Sequence, residues 1–72
     1  MSPTYTQHAR EQMAKRNMTE VDVETALAHP YYQAVSRSSG NTVIFGHVGA
    51  RRIAVVVVPG WRPGHVVTVW EQ

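Results

Sequence analysis

His47, Arg52, Thr68, Phe45 and Trp70 are the residues of this 72-residue chain best placed to share chemistry. They are grouped by the segment "VIFGHVGARRIAVVVV", in which Gly49-Ala50 makes a two-residue hairpin loop with glycine first. Such a loop sets Val48 opposite Arg51 and His47 opposite Arg52. Strand alternation then puts Ile53, Val55 and Val57 on one face with Ile44 and Val48. Arg52, Ala54 and Val56 share the other face with His47, Phe45 and Val43. The last strand splits into Val67 and Val69 against Val66, Thr68 and Trp70, and Thr68 joins His47 when the final hairpin keeps parity. The aliphatic set meets the helices most simply, which leaves an imidazole, a guanidinium, a hydroxyl and two rings on an uncovered face. Such a face suits RNA. Arginine neutralises phosphate with a forked donor, rings stack bases, and histidine moves protons near neutral pH. Plainer readings stand beside it: Arg51 and Arg52 as a solvated pair blunting a strand, and Thr68 as an ordinary β-branched strand residue.

The elements that must position these groups begin with a helix expected from Tyr5 to Arg16. Tyr5, Ala9 and Met13 fall within one quadrant of it, and Arg16 falls inside that same quadrant. Arg16 is then either a snorkelling side chain bound to helix-end carbonyls or a phosphate ligand held by the core that its stem crosses. His8 is either a helix-edge residue packed on the last strand or a general acid or base. Asn17 suits the left-handed residue that ends a helix, and Thr19 with Asp22 opens a second one. Met18 and Val23 have the spacing of a hydrophobic staple, and Pro30 ends that helix. "YYQAVSR", "TVIFGHV", "RRIAVVVV" and "HVVTVW" follow as strands. The expected fold is α+β: a single domain over 1–72, with two N-terminal helices packed on a four-stranded antiparallel sheet.

A net charge of +2 and a pI of about 9.5 permit nucleic acid as a partner without requiring it. With no cysteine, disulfides and thiolate zinc sites are excluded, in keeping with a reducing cytoplasm. His8, His29, His47 and His65 lack local metal-ligand spacing, so no metal and no cofactor are expected. The N-terminus lacks a signal-peptide core, and the longest apolar run, Ile53 to Val58, is far too short to span a bilayer. Trp61 in "PGWRPG" reads as a loop anchor for a partner or as a lid on a small core.

Taken in order, "HAREQMAKRNMTEVDVETALAHP", "VIFGHVGARRIAVVVV" and "VVTVW" resemble a family of short bacterial domains of unassigned function. That family is similar by topology to RelE- and BrnT-like ribonuclease toxins of the barnase–EndoU–colicin–RelE superfold. The resemblance implies metal-independent RNA cleavage in the cytoplasm by a toxin-like domain, with an antitoxin protein or a second copy as partner. By position it implies roles for His8, Arg16, Arg52 and Thr68, to which the face adds His47 as a further catalytic candidate. Lys15, Arg51, Phe45 and Trp70 are the corresponding RNA-binding candidates. Asn17 stands where glycine is usual in that family, and Gln12-Met13 where Arg-Met is commoner. A non-catalytic RNA- or protein-binding module, or a small oligomeric accessory protein, is the alternative.

Overall fold

A computed structural model describes residues 3–37, 39–59 and 64–72. In chain order the elements are β1 (Thr4–Tyr5), α1 (Gln7–Lys15), α2 (Glu20–Ala28), β2 (Pro30–Val35), β3 (Thr42–Val48), β4 (Arg51–Val57) and β5 (His65–Glu71). The expectation for Trp61 lies outside the described residues.

The sheet corrects the expected architecture. It has five strands in the order β1-β5-β4-β3-β2 and is mixed, not four-stranded and antiparallel. β2 to β5 form an antiparallel meander, and β1 joins β5 in parallel with Thr4 beside His65 and Tyr5 beside Val66. The reason lies at Thr6. Its hydroxyl accepts from the Ala9 amide at 3.0 Å, which starts α1 at Gln7, and donates to the Val67 carbonyl at 2.8 Å. Thr4 and Tyr5 before it are free to extend, a conformation that β-branched and aromatic residues favour. Tyr5 still packs against the core from this strand, so its helical spacing from Ala9 and Met13 was satisfied by a different geometry.

At the other end α1 stops at Lys15, and Arg16 is an exposed C-cap instead of a member of the buried stripe. Asn17 adopts φ 57°, and the Met18 amide bonds back to the Met13 carbonyl at 2.8 Å. That bond satisfies a helix-end carbonyl and delivers Met18 to the core. α2 opens with a reciprocal cap. The Thr19 hydroxyl accepts from the Asp22 amide at 3.2 Å, and the Asp22 carboxylate accepts from the Thr19 amide at 3.0 Å.

Both helices cover the same side of the sheet. Ala9 and Met13 of α1 and Val23 and Ala26 of α2 close on Ile53, Val55, Val66 and Val69. Gly46 permits this, because a Cβ there would collide with the Ala26 carbonyl. The β4–β5 ladder shifts between Val56, which faces Thr68, and Val57, which faces Val66. The extra residue, Val67, reverses parity at the start of β5. Val66 and Val69 therefore enter the core, where alternation alone grouped Val67 with Val69. Thr68 and Trp70 remain on the opposite face, beside Val56 and Ala54.

Candidate nucleic-acid interface

The side of the sheet away from the helices carries a connected set of rings. Phe45, Ala54 and Trp70 stand in one row across β3, β4 and β5. Alanine in the middle leaves room, and Phe45 and Trp70 meet over it edge to face with centroids 6.2 Å apart. Ala54 is consequently sealed although no helix lies above it. Edge-to-face pairs of this kind add about 1 kcal/mol to the burial they cause.

β2 extends the row. Its ladder to β3 shifts between Pro30, opposite Gly46, and Tyr32, opposite Phe45. The extra residue at Tyr31 lets two consecutive tyrosines face the same way, which a regular strand forbids. Tyr32 stands 5.7 Å from Phe45, while Tyr31 lies 6.2 Å from Phe45 and 4.6 Å from the His47 ring, centroid to centroid. Tyr31 is 44% exposed and Tyr32 61%, so both rings have surface to offer a ligand. Neither tyrosine stood out in the sequence as a site residue. The adjacent pair in "PYYQ" was a signal, but parity placed the two on opposite faces until the bulge was known.

His47 and Arg52 are direct cross-strand neighbours beside the Gly49-Ala50 turn, where Gly49 adopts φ 59°. Both are exposed. The His47 amide donates to the His29 carbonyl at 3.2 Å and the Arg52 carbonyl accepts from Gln72 at 2.8 Å, so the pair's backbone bonds run outward to the flanking segments. Residues paired in this way carry their side chains close together. One face thus gathers an imidazole, a forked cation and four aromatic rings, while Thr68 stands two rows from the His47–Arg52 pair, on the far side of the Phe45–Ala54–Trp70 row.

The remaining candidates lie elsewhere. His8, Lys15 and Arg16 are exposed on α1 or at its end, in the helical layer on the reverse of the sheet. The structure does not bring them to His47, Arg52 and Thr68. Arg51 points away from Arg52 and ties three elements together. Its guanidinium donates to the carbonyls of Arg16 and Asn17 at 3.1 and 3.4 Å and to the Glu71 carboxylate at 2.9 Å, and it lies 3.7 Å from Asp22. The hydrogen bond to Glu71 raises the Arg51 pKa, and the same bond holds the Glu71 carboxyl below its usual range. This arrangement gives Arg51 a structural part at the corner between α1, α2 and β5.

Two other polar features sit apart from the open face. The Thr4 hydroxyl and His65 Nδ1 are 2.7 Å apart at the β1–β5 edge. The Tyr5 hydroxyl is buried without a hydrogen-bond partner among the described residues, while Arg10 lies 5.0 Å over its ring and pairs with Glu20 at 3.0 Å. Burial, reinforced by the carboxylates of Glu20 and Glu24 and opposed by Arg10, pushes the Tyr5 phenol from 10.0 to about 12. Among the described residues, no cluster of three or more His, Cys, Asp or Glu side chains is placed to hold a metal ion. Among them, too, no helix is long and apolar enough to cross a membrane.

A family model described as "Domain of unknown function (DUF4258)" matches residues 5–71. No curated protein and no solved structure matches the chain.

Proposed function

We propose a function for this chain, which belongs to the DUF4258 family of domains of unknown function, from the ring-lined open face of its sheet: it binds single-stranded RNA there. The observation that carries this reading is the continuity of Tyr31, Tyr32, Phe45 and Trp70 with His47 and Arg52 on one surface that no described element covers. Exposed rings accept bases of any identity, and each stacked base contributes about 1–3 kcal/mol. Arg52 supplies the phosphate contact at one end of the row, and the modest positive charge of the chain supports approach of a polyanion. A titration of fluorescent single-stranded RNA tests it. Binding should weaken with salt and weaken by about tenfold for Tyr32→Ala or Arg52→Ala. Undiminished affinity in both variants would remove the face from the argument.

The adjacency of His47 and Arg52 favours a second, stronger reading in which the bound strand is cut, as in the toxin-like ribonuclease that the sequence resemblance implies. His47 takes the proton of a ribose 2′-hydroxyl, the 2′-oxygen bonds to phosphorus, and the 5′-oxygen departs with a proton from water. The products are a 2′,3′-cyclic phosphate and a free 5′-hydroxyl. Arg52 stabilises the charge that builds on the phosphoryl oxygens, and Thr68 borders the same surface. His8, Arg16, Lys15 and Arg51 take no part in this step. Incubation of the protein with RNA in EDTA should give cleavage that His47→Ala abolishes. Binding without cleavage would leave the first reading alone, and arrest of growth on expression would bring the toxin and its antitoxin partner into play.

A further inference from the structure

Among the described residues β2 is an edge strand, paired with β3 on one side only. The alternation of the antiparallel ladder, set by the bonds from the His47 amide to His29 and from the Ser36 amide to Asn41, turns the backbone of Tyr32 and Ala34 towards β3. It therefore aims the N–H and C=O groups of Gln33 and Val35 outward. The strand reads "PYYQAV": it has no charged residue, its single proline is its first residue, and Val35 is 68% exposed. Sheets ordinarily guard such an edge with charge, with brevity or with a covering element. The opposite edge has that protection, because β1 is two residues long and the chain turns at once into α1.

We infer that β2 pairs antiparallel with β2 of a second copy of this chain, joining the two five-stranded sheets about a two-fold axis. Like strands are self-complementary in this orientation, since each outward amide meets an outward carbonyl of the other copy. A neutral edge holds no group that would select an acidic or basic peptide, whereas a second copy brings an equally neutral strand of equal length and another exposed valine. A domain of this size also has a thin core, and burial of the edge adds to it. The pairing sets the two aromatic faces side by side with Tyr32 near the seam. It is independent of the RNA reading.

Sedimentation equilibrium of the full chain from about 1 to about 500 µM tests the inference, because pairing must follow protomer concentration. The expected result is a dimer whose dissociation constant rises by about tenfold or more in Val35→Lys, and equally in Gln33→Lys, with the circular dichroism spectrum unchanged. Both side chains are exposed, so both variants should fold. Hydrogen exchange at the Gln33 and Val35 amides should slow as concentration rises. A chain that stays monomeric over the whole range overturns the inference, as does a dimer that neither lysine disturbs.

Discussion

The two sides of strand β4 obey opposite rules. On one side Ile53 and Val55 are sealed by α1 and α2 in a layer of aliphatic and methionine side chains bordered by Tyr5. On the other, Ala54 is fully buried in the row between Phe45 and Trp70, whose rings meet across the sheet. The same division separates two consecutive arginines. Arg51 is held at a helical corner by four partners, and Arg52 stands beside His47 on the open face. Burial in so small a domain therefore has two sources. Helices seal one side, while on the other the rings bury Ala54 and keep Tyr31 and Tyr32 exposed.

Substitutions should sort by side. Gly46→Val is expected to be the most damaging, because its side chain would collide with the α2 backbone. A loss of about 4 kcal/mol or more, enough to unfold a domain this small, should be seen by urea denaturation. A folded variant of near-normal stability would show that α2 does not rest on β3 as described. Ile53→Ala should follow at about 2–4 kcal/mol, since the residue is fully buried. On the ring side, Tyr32→Ala should cost about 0.5 kcal/mol or less in stability, as befits a largely exposed residue. Its effect should instead fall on RNA affinity, and a large loss of stability there would blur the distinction between the sides.

The smallest change expected at neutral pH comes from Tyr5→Phe. Removing a buried hydroxyl with no partner should leave stability unchanged or raise it slightly. The pH dependence sharpens the test. The folded phenol titrates near 12 and the unfolded one near 10.0, so the folded state keeps its proton longer. Wild-type stability should accordingly fall as pH rises from 10 to 12, and Tyr5→Phe should remove that decline. A thermal melt series across this interval reads the difference directly.

Much of the helical pair was legible in the residues. Thr19 and Asp22 satisfy one another's amides within four positions, and Asn17 tolerates the left-handed turn, so local chemistry dictates that corner. The hairpin at Gly49-Ala50 was equally local, and through it the pairing of His47 with Arg52 followed from strand parity. β1 was not legible, because Tyr5 has helical spacing from Ala9 and only the distant Val66 and Val67 carbonyls make extension the better choice. The bulges at Tyr31 and Val67 were hidden for a related reason. Each inserts one residue into a ladder whose partner strand sets the count, and no short stretch of sequence contains that partner.

Local sequence sets the α2 cap, the inter-helix corner, the β3–β4 register and the largely aliphatic character of the covered face. These depend on hydrogen bonds and alternation within a few residues. Long-range packing is what adds a fifth strand to the sheet, ties Arg51 to the corner between α1, α2 and β5, and brings two neighbouring tyrosines to the open face. Those outcomes turn on which carbonyls and which edges distant segments present to one another, and that is settled only when the chain has packed.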